Sequence, residues 1–138
     1  MASQYALGVD YGTNSVRALL VDLANGAEIA AEVWDYRHGD AGVIVDSSDP
    51  HLARQSPADY IEGFFASVRG ALALAAATTP NFAPQQIVGV GVDTTGSTPL
   101  PVNAAGEPLA LLAEFRDHPP AQAWLWKDHP PHPEADEI

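Results

Sequence analysis

The chain has 138 residues and no cysteine, and its 18 acidic against 6 basic side chains give a formal charge of −12. That balance disfavours a general nucleic-acid surface or an anionic membrane as partner, and the missing cysteine excludes disulfides and thiolate metal sites. A hydrophobic share of 46% and room for one domain with a core argue against a disordered chain. Met1 to Tyr5 carries no basic stretch followed by an apolar run, so the cytoplasm is the expected location. The longest apolar candidate, Ala71 to Ala77, is shorter than the roughly 20 residues of a spanning helix.

The first elements read as strands. Tyr5 to Asp10 and Ser15 to Leu23 are rich in apolar and β-branched residues, and Asn25-Gly26 predicts a tight turn into a third strand, Ala27 to Tyr36. Between the first two lies Asp10-Tyr11-Gly12-Thr13-Asn14-Ser15-Val16-Arg17. Backbone N–H groups in such a turn can point at phosphate oxygens, the small side chains add hydrogen-bonding groups, and a strand-end carboxylate can hold a magnesium-bound water. Neither a Walker loop nor a Gly-x-Gly-x-x-Gly turn occurs; the apolar and β-branched run from Val16 to Leu23 reads as strand, so the candidate phosphate turn joins two antiparallel strands. An ordinary hairpin is the plain alternative, although it requires neither Asp10 nor Arg17.

His38 to Gln55, rich in Gly, Asp, Ser and Pro around an apolar island at Val43 to Val45, predicts a long loop. Ser56-Pro57-Ala58-Asp59 then supplies an N-cap, a proline at the first helical position and an acid three residues after the cap. A helix should run to about Ala77, with Tyr60, Ile61, Phe64, Phe65, Val68 and Leu72 as its core-facing stripe. Ile87 to Asp93 is an apolar run without polar alternation, as expected of a central strand covered on both faces and parallel to the first strand after a helical crossover. It ends in Asp93-Thr94-Thr95-Gly96-Ser97-Thr98, which reads equally well as a ligand-binding sheet edge or as a plain turn. Pro101 to Pro108 is hairpin-like and leads into an apolar Leu109 to Leu112. Trp124 and Trp126 should be half-buried on a short segment. Five prolines among His118, His129 and His132 deny these histidines a metal-site spacing.

The motifs Asp10 to Ala18, Gly89 to Pro99 and Leu125-Trp126-Lys127-Asp128-His129, in this order and spacing, resemble the amino-terminal part of FGGY carbohydrate kinases. The first motif alone is similar to the phosphate hairpin of the wider actin/hexokinase/chaperone ATPase superfamily. The other two are similar to the branch that phosphorylates ribulose, whose relatives carry bulkier or charged residues where Gly96 and Ser97 stand. The resemblance implies an α/β, ribonuclease H-like mixed sheet: three antiparallel strands plus a parallel central strand after a crossover helix, in a domain only partly present in residues 1–138. It implies transfer of the ATP γ-phosphoryl group to the terminal hydroxyl of L-ribulose, with Mg2+ as cofactor and a homodimer of the longer protein as a further expectation. Asp10 would orient the metal through water. Gly12, Thr13, Asn14 and Ser15 would hold phosphates, and Arg17 would offset charge on the transferring oxygens. Thr95, Gly96, Ser97, Lys127 and Asp128 would form the sugar side, Lys127 and Asp128 reading equally as a surface ion pair. The general-base aspartate would lie beyond residue 138, so these residues alone are expected to be inactive. Another pentulose or pentitol kinase, or an actin- or chaperone-like ATPase, stays open.

Overall fold

The computed structural model describes residues 3–137. They form two compact units, one built from the chain up to Asp35 together with Tyr60–Thr94, the other from Tyr36–Asp59 together with the chain from Thr95 onward.

The first unit is a four-stranded mixed sheet. Strands β1 (Tyr5–Tyr11), β2 (Ser15–Asp22) and β3 (Glu28–Asp35) are antiparallel neighbours, and β6 (Ile87–Thr94) pairs parallel to β1, giving the order β3-β2-β1-β6. The parallel pair follows from the long helix α1 (Pro57–Thr78), which carries the chain back to the starting edge of the sheet. Alternate residues of β1 (Tyr5, Leu7, Val9) and β2 (Val16, Ala18, Leu20) are buried, the period-2 signature of a sheet with one covered face. The β2–β3 turn is wider than the Asn-Gly pair predicts. Asp22 N–H donates to Ala27 O at 2.9 Å, and Gly26, at φ +73°, sits inside a four-residue bend.

Helix α1 corrects the expected stripe. Its buried line is Gly63, Ser67, Ala71 and Ala75, whereas Ile61 and Phe65 are about half exposed at 47% and 50%. The reason is closeness: a Cβ on Gly63 would lie 2.6 Å from Val16 Cγ2 and 2.9 Å from Trp34 Cε3, so only small side chains fit against β2 and β3. By length and composition alone, the 22 residues of α1 are long and apolar enough to cross a membrane, a test that a core helix also passes, whereas the sequence reading finds no apolar stretch of that length. In this fold its small-residue line faces the sheet.

Strand β6 is a second correction. It is the edge of the sheet among the described residues, and Val88, Val90 and Val92 are 57–60% exposed instead of covered on both faces. Only β1 flanks it here.

In the second unit, the stretch expected to be a loop folds as a hairpin of β4 (Ile44–Asp46) and β5 (Asp49–Gln55), extended by β7 (Ala123–Trp124) into a sheet of order β4-β5-β7. Asp46 Oδ1 caps the hairpin turn, accepting from Ser48 N–H at 2.8 Å and Ser48 Oγ–H at 2.6 Å. Those hydrogen bonds hold the Asp46 carboxyl below its usual range, the hydroxyl contributing most. Val43, Ala53 and Leu125 form this unit's small apolar cluster. Asp59, 1% exposed, ties the unit's start together: its Oδ2 accepts from His38 N–H at 3.0 Å and its Oδ1 lies 2.8 Å from His38 Nδ1. Ser56 caps α1 as expected, its Oγ accepting from Ala58 N–H at 3.3 Å. Pro101 to Pro108 is closed by a bridge between Val102 and Pro108 with Gly106 at φ +81°, and a single short turn of helix, α2 (His132–Ala135), ends the described chain.

Candidate functional site

In the first unit, the β1–β2 connection is the predicted turn. Gly12 N–H donates to Ser15 O at 2.9 Å, leaving Thr13 and Asn14 at the tip, while Ser15 is buried at 7% exposure. Of the three small residues, Thr13 and Asn14 are the more outward, and Asn14 is exposed. Asp10 and Arg17 are cross-strand partners whose charged groups approach to 3.7 Å, both about half exposed. A pair this open to water contributes little to stability, so it leaves both groups available to a ligand. Tyr11 stays protonated beyond the usual tyrosine range because burial disfavours the phenolate.

Of these residues, Asp10 and Arg17 line a groove of about 430 Å³ formed with Gly8, Val9, Leu19, Gly91, Val92 and Asp93. Arg17 alternates with Val16, so the groove lies on the sheet face turned away from α1. Its floor is low because Gly8 and Gly91 are in-register partners. Sequence reasoning missed Asp93 as a lining residue. The signal was available: Gly8-Val9-Asp10 and Gly91-Val92-Asp93 are the same tripeptide, and the parallel register sets them side by side. Two hard carboxylates beside a guanidinium, above a glycine floor, suit a magnesium-bound phosphate chain.

In the second unit, Thr95 to Thr98 form a compact bend in which Thr95 Oγ1 and Thr98 Oγ1 are 3.2 Å apart and Ser97 takes φ +56°. A Cβ on Gly96 would meet nothing within 4 Å, so the position is open. Leu125 to Asp128 form a turn closed by Asp128 N–H donating to Leu125 O at 2.8 Å, with Trp126 54% exposed and Lys127 exposed. Asp128 is no surface ion pair with Lys127. Its side chain is 3% exposed and its Oδ2 accepts from Arg54 Nε at 2.6 Å and from Ala53 N–H at 2.8 Å. Sequence reasoning missed Arg54, whose partner lies 74 residues away in the chain.

No family model matches the chain. Across its whole length it is 39% identical to a ribulokinase of Halalkalibacterium halodurans, and over 98% of its length 42% identical to a ribulokinase of Geobacillus thermodenitrificans. In each case it spans 24% of the relative's length. A crystal structure of gluconate kinase from Lactobacillus acidophilus superposes with a TM-score of 0.68 at 14% identity, over 99% of this chain and 22% of that one, which shows the fold. The chain is thus similar, end to end, to about a quarter of a ribulokinase, and it carries a ribonuclease H-like mixed sheet, the fold it shares with that gluconate kinase.

Proposed function

We propose that this chain is the amino-terminal part of a longer kinase, cytoplasmic and homodimeric, that transfers the γ-phosphoryl group of ATP to the terminal hydroxyl of L-ribulose, giving L-ribulose 5-phosphate. The observation that carries the reading is the convergence of Asp10 and Arg17 with the Gly12–Ser15 turn at the carboxyl end of β1, beside a groove floored by glycines. The end-to-end likeness to ribulokinases supports the choice of sugar class.

In this reading, Thr13, Asn14 and the backbone of Gly12 and Ser15 orient the phosphate tail, and Asp10 holds the magnesium ion through water. Bound magnesium would neutralise phosphate charge and align the nucleotide. Arg17 offsets negative charge that spreads over the transferring oxygens, the kind of electrostatic stabilisation that dominates phosphoryl transfer. On the sugar side, the open position at Gly96, the hydroxyls of Thr95 and Ser97, and the exposed Lys127 take the pentulose hydroxyls. Asp128, bound to Arg54, belongs to this side as the support of Lys127. The base that removes the sugar proton lies in the remainder of the protein, so residues 1–138 alone are inactive.

The test is a coupled ATPase assay of the full-length protein over a panel of pentuloses, pentitols and hexonates. Turnover dependent on L-ribulose supports the reading. ATP turnover indifferent to every sugar would favour an actin- or chaperone-like ATPase, and ATP-dependent phosphorylation by the 138-residue polypeptide would overturn the assignment of the base.

A further inference from the structure

Arg54 and Asp128 are 5% and 3% exposed, and no other charged pair in the second unit is comparably buried among the described residues. Taking two charges out of water is costly, and a buried ion pair is therefore weak evidence of a stabilising role. Arg54 adds to that cost, since its Nη1 is buried without a hydrogen-bond partner. An arginine so placed is a poor stabiliser, and its geometry suggests another use.

That geometry converges on one turn. Arg54 Nε and Ala53 N–H both donate to Asp128 Oδ2, Leu125 N–H donates to Ala53 O at 3.1 Å, and His129 N–H donates to His51 O at 2.8 Å. The Leu125–Asp128 turn is thus fastened to β5 on both sides of its tip. Just before it, Trp124 of β7 lies under the Arg54 guanidinium at 3.9 Å, and the Trp124 backbone N–H donates to Pro99 O at 2.9 Å, joining β7 to the residue that follows the Thr95–Thr98 bend. Trp126 and Lys127, the residues at the tip, are the exposed ones.

We propose that Arg54 is a positioning residue for sugar recognition. Through Asp128 and Trp124 it fixes the turn that presents Trp126 and Lys127 to a polyhydroxylated, open-chain sugar. This rests on the kinase reading above. Arginine suits the task because its planar guanidinium donates to the carboxylate and stacks on the indole at once, which an ammonium group cannot reproduce.

The test is steady-state kinetics of the full-length protein, with L-ribulose and ATP varied separately, for the parent, Arg54→Met and Arg54→Lys. Arg54→Met should raise the KM for L-ribulose by about tenfold or more while the KM for ATP stays within about twofold, with Arg54→Lys between the two. Where Arg54→Met does not fold, Arg54→Lys carries the test with the same direction of change. An unchanged KM for the sugar in a folded variant, or an equal loss against both substrates, overturns the assignment while leaving the kinase reading intact. A parent enzyme that phosphorylates no pentulose overturns both.

Discussion

Gly63 of α1 lies so near Val16 of β2 that a methyl group at position 63 would fall 2.6 Å from Val16 Cγ2. Val16 is completely buried, so it has little room to retreat. Gly63→Ala should therefore destabilise the chain by about 1–3 kcal/mol through overpacking. Gly91, around which a Cβ would meet nothing within 4 Å, gives the control: Gly91→Ala should change stability by no more than about 0.5 kcal/mol. Urea unfolding of both variants checks the contrast, and equal losses would contradict the close helix–sheet contact.

Asp59 answers two groups of His38 from a site with 1% exposure. Asp59→Ala removes the carboxylate that accepts from the His38 backbone N–H and lies against its ring, and should cost about 1–3 kcal/mol. Amide exchange at His38 should accelerate in the same variant, while exchange in β1 stays slow.

The roles proposed for the β1–β2 turn and the Thr95–Thr98 bend predict different kinetic patterns. In the full-length protein, Arg17→Met should lower kcat with L-ribulose by about a hundredfold or more. Gly96→Arg should instead raise the KM for the sugar by about tenfold, with the KM for ATP little changed. Reversal of these two signatures would exchange the roles assigned to the β1–β2 turn and the Thr95–Thr98 bend.

Asp46 offers a pH test at the β4–β5 turn. Its folded carboxyl is held below the ordinary range by Ser48, so the stabilisation it brings is present above the ordinary carboxylate range and is lost as pH falls through the lowered value. Ser48→Ala removes the hydroxyl contribution and keeps the backbone N–H, so the Asp46 titration followed by NMR should move up towards the ordinary value without reaching it. An unmoved titration would show that the hydroxyl does not hold the carboxylate.

Much of the first unit was legible because its signals are local. Strand boundaries at Tyr5, Ser15 and Ile87 and the helix start at Pro57 follow from apolar runs and capping residues. The second sheet was illegible because β5 begins Asp49-Pro50-His51, residues with poor strand propensity, and is held by a partner strand of two residues far along the chain. The helix stripe was misread for a related reason. Periodicity marks large apolar residues, whereas the close approach of α1 to β2 selects Gly63, Ser67, Ala71 and Ala75. On the candidate site, the turn at Gly12–Ser15 and the bend at Thr95–Thr98 were legible as turns from their small polar residues, but a burial-dependent pair such as Arg54 and Asp128 leaves no trace in spacing.

The open flank of β6 has a practical consequence for handling the polypeptide. A row of exposed valines along a strand with hydrogen-bonding groups on its outer side is a template for adventitious strand addition. Produced in isolation, residues 1–138 should precipitate or self-associate as concentration rises, and a lysine substituted at Val90 should improve their yield in solution.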